Sequence, residues 1–325
     1  MSAPSEEYIP ITLNAIQAEK VIGFDLFLQT DQHEHDRYVL YCAEKSVVKS
    51  EKINELLRNR VQKLYIRKED HKKFLAYAES TLTYLINNSA VDLKTKSLVV
   101  YDVAKNIVLD IFDDPRSGEQ MQRSKGWVSN AVDMVMKNKG AFSSMINVLM
   151  YDYYTYTHSV NVSVLGLLFS KYVGLSYKEM NILGTGLLLH DIGKTQIGHD
   201  IVNKNGRLSD EEYKAIKSHV EHGVGILQSR PEIEKESILP VMQHHERFDG
   251  KGYPRGIKTN DIHPYGRIAK IVDVYDAITT RRSYSEARGP FVALKLMKED
   301  MAGSFDEQLF RSFIMFLGSS GEKKQ

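Results

Sequence analysis

The chain has one cysteine, Cys42, so no intramolecular disulfide can form and no thiolate-rich zinc site can be built from it. Cys42 sits in the apolar stretch RYVLYCAE and is expected to be a buried structural thiol. No charge of one sign dominates: 43 Lys and Arg face 42 Asp and Glu, which removes the general electrostatic case for DNA or RNA binding. No apolar run reaches the length that spans a bilayer, and the start, MSAPSEEYIP, has no basic segment followed by an apolar one. A cytoplasmic protein without a membrane span is expected, with any external signal reaching it through another molecule. Neither the G-x-x-x-x-G-K-S/T phosphate loop nor the G-x-G-x-x-G turn occurs, and the start lacks the aspartate-rich pattern of a phosphorylated receiver.

What is present is an ordinary soluble composition, 42% hydrophobic and 26% charged over 325 residues, enough for about two domains. Residues 1–90 mix strand-like runs (VIGFDLFLQ, RYVLYCA, KLYIR) with helical spacing in SEKINELLRNRV and EDHKKFLAYAESTLTYL, which predicts a small α/β domain. Residues 91–140 predict a helical connector of two helices, broken at Asp114-Pro115-Arg116-Ser117-Gly118. Its apolar positions suit packing within the chain, or a homodimer seam. From residue 141 to 325 helical spacing dominates, and an all-α bundle of about seven helices is expected.

The chemistry concentrates in that last region. LGTGLLLHDIGK places His190 and Asp191 at the end of an apolar run, where an imidazole and a carboxylate are costly unless paired or metal-bound. A hydrogen-bonded core histidine is the bland alternative for such a pair alone. Other donors stand in similar apolar helical contexts: His158 in YTYTHSVNVSVLGLL, which is expected to be an amphipathic helix, His219 in YKAIKSHVEHGVGIL, His244 and His245 in VMQHHERFDGKGYP, and Asp273 in RIAKIVDVYDAITT. Imidazole with carboxylate suits iron, manganese or zinc better than calcium or magnesium. His33, His35 and His71 lie in polar settings that suit solvated surface, while His222 and His263 have no motif around them.

HDIGK, HHERFDGKGYP and RIAKIVDVYDAITTRRSY follow the order and spacing of the HD-GYP family, as do THS at 157–159, KSHVEHGVGIL at 217–227 and NKNGRLSDEE at 203–212. The region 141–325 thus resembles the HD-GYP branch of the HD superfamily of metal-dependent phosphohydrolases, whose known activity is hydrolysis of cyclic di-GMP to the linear dinucleotide or GMP. The resemblance implies two divalent ions, iron with manganese as the alternative, held by His158, His190, Asp191, His219, His244, His245 and Asp273, with Asp191 bridging. It implies a catalytic role for Asp191 and Lys194, substrate contacts from Lys194, Tyr253 and Arg282, and a supporting role for Asp276 behind the ligands. A cyclic dinucleotide is the implied substrate. Residues 1–90 resemble, weakly, the short α/β segments that precede such domains in other chains, and a regulatory or protein-partner role is expected of them. Arg247, Lys251, Arg255 and Lys258, around the GYP segment, are read either as guides for an anionic ligand or as a solvated loop.

The chain departs from the family pattern in places. Gln196, Ile197, Gly198 and His199 replace the usual continuation after HDIGK, and Tyr154 stands where three-metal members carry Glu, which favours two ions. Val220 replaces a Pro after His219, and Ser283-Tyr284-Ser285 replaces Pro-Tyr-Arg/Lys, removing a basic residue. Alongside an active cyclic di-GMP phosphodiesterase, two other readings stay open: a metal-loaded domain that binds a nucleotide or protein with little turnover, and a phosphohydrolase of another nucleotide.

Overall fold

The structure, a computed structural model, describes residues 7–30, 37–149, 155–204, 206–280 and 288–319. It is mostly helical, with one small antiparallel sheet near the N-terminus, and it divides into two compact units, Met1–Asn106 and Ile107–Gln325. None of the described helices is long and apolar enough to cross a membrane.

The first unit holds strands β1 (Tyr8–Thr12), β2 (Leu26–Gln29), β3 (Tyr38–Cys42) and β4 (Lys63–Arg67), in the order β1-β4-β2-β3. Alternation drives β4 inward: Leu64 and Ile66 are fully buried, opposite Ile11 and Ile9 of β1. Strand β1 has little sequence signal because Pro10 lacks a backbone N–H, and its place at the sheet edge is where proline is tolerated. The run VIGFDLFLQ is a strand only over its last four residues. Ile22, Phe24 and Leu26 alternate into the core, but Asp25 turns its carboxylate to accept the Glu44 N–H, at 2.8 Å, and the ladder starts after it. Cys42 is half-exposed on β3 rather than buried, because its strand lies at the other edge of the sheet. Helices α1 (Ser50–Arg58), α2 (His71–Ser80) and α3 (Leu82–Asn87) follow, and α4 (Leu93–Asp113) begins in this unit.

The second unit continues with α5 (Gly118–Lys137), started by the Ser117 side chain accepting the Gln120 N–H. Ten helices come after it among the described residues: α6 (Ala141–Ile146), α7 (Thr155–Tyr172), α8 (Tyr177–Leu188), α9 (His199–Val202), α10 (Asp210–Lys217), α11 (His219–Gln228), α12 (Ile238–Gln243), α13 (Pro264–Thr279), α14 (Pro290–Glu299) and α15 (Glu307–Gly318). Seven of these have eight residues or more; α6, α9 and α12 are too short to leave a periodic trace in the sequence. Capping boxes start α8 (Ser176 with Glu179) and α10 (Ser209 with Glu212), which accounts locally for the NKNGRLSDEE segment.

Helix α7 is not amphipathic. Every residue from Thr157 to Ser170 is buried, because α7 is the central helix with α5, α8 and α13 packed on it. Its polar side chains are bonded rather than solvated: Ser163 donates to the Gly184 carbonyl at 3.1 Å and Ser170 to Leu167 at 2.8 Å. Trp127, Val132, Leu165, Phe169, Leu183, Leu187, Ile271 and Phe313 fill the surrounding core. This rigid centre fixes the backbone on which His158 and Asp273 stand.

Candidate metal centre

Five backbone segments bring seven donors to one place. His158 comes from the first turn of α7, His190 and Asp191 from just past α8, His219 from the first residue of α11, His244 and His245 from just past α12, and Asp273 from α13. His158, His190, Asp191, His219, His244 and Asp273 are buried, and His245 is half-buried. Their ligand atoms form three overlapping groups, each within 4.8 Å: His219, His244 and His245; His158, His190 and Asp273; His190, Asp191 and His244.

The imidazoles are held from behind. Nδ1 faces a backbone carbonyl in His190 (Leu187, 2.8 Å), His219 (Ile216, 2.6 Å) and His244 (Val241, 2.9 Å), which assigns the proton to Nδ1 and leaves Nε2 a lone pair directed inward. In His158 the Asp276 carboxylate does the same work, 2.7 Å from Nδ1, and Thr280 donates to the other oxygen of Asp276 at 3.1 Å. The inner atoms crowd together at the centre. Nε2 of His190 has no hydrogen-bond partner among the described residues, Nε2 of His219 faces Nε2 of His244 at 3.2 Å, and Nε2 of His158 lies 3.1 Å from an Asp273 oxygen. Lone pairs so disposed repel unless a cation lies among them, so the donor set fits divalent metal.

Electrostatics agree. Burial pushes His219 below the usual imidazole range and, with the neighbouring imidazoles, holds His244 and His245 well below it, so these rings are neutral donors. Burial opposes the charge on Asp191, but the Lys194 ammonium, foremost, outweighs it and holds the carboxyl well below the usual range. At Asp273 too burial is outweighed, first by the neighbouring His158, and the carboxyl is held well below the usual range. Both carboxylates are therefore ionised and able to bind metal.

Two glycines allow the close approaches. A Cβ on Gly193 would lie 1.8 Å from the His219 carbonyl oxygen, so only glycine lets the turn carrying Asp191 touch the start of α11. A Cβ on Gly252 would lie 2.3 Å from the Arg247 nitrogen, so the GYP segment folds back on the His245–Arg247 backbone only with glycine there. That fold-back is pinned by Glu246, which accepts the Arg255 N–H at 2.8 Å, and it stacks Tyr253 on His245, with ring centroids 4.5 Å apart.

A family model described as "HD domain" matches residues 161–309. Over 219 residues the chain is 33% identical to a cyclic di-GMP phosphodiesterase of Pseudomonas aeruginosa, covering 66% of this chain and 52% of that protein. It is 32% identical over 157 residues to 3'3'-cGAMP-specific phosphodiesterase 3 of Vibrio cholerae, covering 48% of this chain and 34% of that one. The fold is shared with Bd1817, an HDG"Y"P protein from Bdellovibrio bacteriovorus, at a TM-score of 0.65 and 20% identity over 96% of this chain and 100% of that chain. The chain carries an HD-GYP domain. It spans about half the length of the first of these curated relatives and less of the second.

Within the HD-GYP domain, a cleft of about 710 Å³ opens over the donors. His158, Asp191, Lys194, His219, His245, Tyr253 and Asp273 all line it. Lys194 follows Asp191 in a 3-10 turn (Ile192–Gln196) and donates to its carboxylate at 2.5 Å. Tyr253 is kept neutral by burial and carries the Lys217 ammonium 5.1 Å from its ring centroid. Arg282, Tyr154, Ser283, Tyr284, Ser285, His33 and His35 lie outside the described residues.

The four basic residues of the GYP segment do not line the cleft. Arg247 instead makes a bidentate pair with Asp249 (3.0 and 2.7 Å), which drops that carboxyl to about 2. The cations that do line it, besides Lys194, are Lys270 and Arg288, which no motif in the sequence marks. Lys270 had a signal: it stands one turn before Asp273. His199 is exposed and joins none of the donor groups; His263 caps α13 by accepting the Tyr265 N–H at 3.1 Å, and His71 is half-buried at the start of α2.

Proposed function

We propose that the HD-GYP domain is a metal-dependent phosphodiesterase that hydrolyses cyclic di-GMP at a two-metal site, in bacterial second-messenger signalling. The observation that carries this reading is the seven-donor cluster, with inward Nε2 atoms that only a cation satisfies, at the floor of a cleft that also presents Lys194. The names of the Pseudomonas aeruginosa and Xanthomonas campestris relatives, both cyclic di-GMP phosphodiesterases, support the choice of substrate.

His158, His190, Asp191, His219, His244, His245 and Asp273 would hold two divalent ions, with iron as the first candidate. Such ions activate water for attack and offset the charge developing on a phosphodiester. The residues of the chain do the rest. Asp276 keeps the His158 proton on Nδ1 and so turns the Nε2 lone pair toward the cluster. Lys194 holds positive charge beside Asp191, where it attracts the scissile phosphate and stabilises the departing ribose oxygen. Tyr253, neutral and stacked on His245, forms a flat wall for the ligand, and Arg282 is assigned to its phosphate or base. The unit Met1–Asn106 is proposed as the regulatory or partner-binding part.

A second reading has its own support. Vibrio cholerae relatives 32% and 36% identical are named 3'3'-cGAMP-specific phosphodiesterases, so a different cyclic dinucleotide is the alternative substrate. Competition for turnover between that compound and cyclic di-GMP decides between them. Ser285→Lys, which restores a basic residue, is expected to raise cyclic di-GMP affinity; unchanged affinity would remove the missing cation as the reason for any weak binding.

A further inference from the structure

Helix α13 presents one face to the cleft: Lys270, Asp273, Val274, Ala277 and Ile278, at spacings of three, four, seven and eight residues. Asp273 belongs to the donor cluster. Lys270, one turn earlier, has no role in it, since an ammonium cannot bind metal. It lines the cleft within electrostatic reach of Asp273, Arg247, Glu246 and His245.

Lys270 is half-buried, and burial works against its charge. A cation in that position normally takes a carboxylate partner. Lys194 does so, at 2.5 Å from Asp191. Among the described residues no carboxylate lies within ion-pair distance of the Lys270 ammonium, although Asp273 and Glu246 are near enough to be felt. Glu246 spends one oxygen on the Arg255 N–H, and its other oxygen is buried without a partner, so the chain forgoes an available pair. The cost of holding an unpaired ammonium against the cleft wall is recovered when an anion enters.

Among the described residues three cations line the cleft, Lys194, Lys270 and Arg288, and Lys194 lies on the Asp191 side of the cluster. Lys270 is tied to the His245 and Asp273 side. A cyclic dinucleotide carries two phosphodiester groups on one ring. When one lies at the donor cluster with Lys194, the other keeps its full negative charge and needs a partner elsewhere on the wall.

We propose that Lys270 is a substrate-binding residue whose ammonium takes the phosphate that is not being cleaved, and that the site thereby selects ligands with two phosphodiester groups over those with one. This rests on the phosphodiesterase reading. Lys270 acts in binding, so its removal shows in KM rather than kcat.

The test uses the full-length, metal-loaded protein, with Lys270→Met and Lys270→Arg, and Lys270→Gln should the methionine variant fail to fold. Turnover is measured on cyclic di-GMP and on bis(p-nitrophenyl) phosphate, which has a single phosphodiester, and cyclic di-GMP binding is measured by equilibrium dialysis. Loss of one charge-assisted contact is expected to raise the KM or Kd for cyclic di-GMP by about ten- to a hundredfold. The specificity ratio of the two substrates should fall by a similar factor, with arginine recovering most of it. Equal KM in wild type and Lys270→Met, or a parallel loss on both substrates, overturns the Lys270 assignment while leaving the enzyme reading intact. A wild-type protein that neither binds nor cleaves cyclic di-GMP overturns both. Binding without cleavage, weakened in Lys270→Met, upholds Lys270 and overturns the enzyme reading alone.

Discussion

The Nε2 atoms of His219 and His244 lie 3.2 Å apart, while the Nδ1 of each ring faces a backbone carbonyl. With the proton on Nδ1, two lone pairs point at each other in a buried site. A metal ion removes that conflict, so the bound form gains stability beyond the bare binding. Chelation of the metal-loaded protein is expected to lower its melting temperature. An ion at about one hundred times its dissociation constant contributes about 2.7 kcal/mol. Differential scanning calorimetry before and after chelation checks this, and His244→Ala should abolish the difference.

The metal-free protein should lose stability as pH falls through the imidazole range. Burial lowers the folded-state pKa of His219, His244 and His245, the last two strongly. Unfolded imidazoles take up protons near about pH 6.5 and the folded ones do not, so the unfolded state binds more protons below that pH. Stability is complete above about pH 6.5 and falls until the folded pKa is reached, by up to about 1.4 kcal/mol per pH unit for each ring. Guanidinium unfolding of chelated protein at several pH values measures it. A flat profile would contradict the assignment of these rings as neutral donors.

Asp276 touches His158 and Thr280 but belongs to none of the donor groups. Asp276→Asn keeps the shape and removes the charge that fixes the His158 tautomer. Metal affinity is expected to fall by about ten- to a hundredfold, as for other partners behind metal ligands. Competition with a chelator of known affinity reads the change; unaltered affinity would make Asp276 a purely structural residue.

The donor cluster was largely legible because its chemistry is written in residue types: six of the site residues are histidines or the aspartate beside one, in segments whose order is distinctive. Asp276 was legible through its one-turn spacing from Asp273. Lys270 has the same spacing on the other side of Asp273, but a lysine on a helix reads as solvated surface until the packing of α13 turns it to the cleft. For Arg247 the sequence left two readings open, since its pairing with Asp249 two residues away is a matter of loop conformation that charge counting does not show. In the fold, long helices such as α5, α8 and α13 announced themselves by periodicity. Helix α7 misled, because serine and asparagine in a fully buried helix mimic a polar face. Strand β1 was hidden by Pro10, and α9 and α12 by their length.

The central claim is that this cluster is a two-metal phosphodiesterase site. Its most direct test is elemental analysis of anaerobically purified protein, with cyclic di-GMP turnover measured on the same sample. The account predicts two metal ions per chain and turnover that His190→Ala and Asp191→Ala each abolish. A protein that takes up no metal, even after reconstitution with iron or manganese, would contradict it.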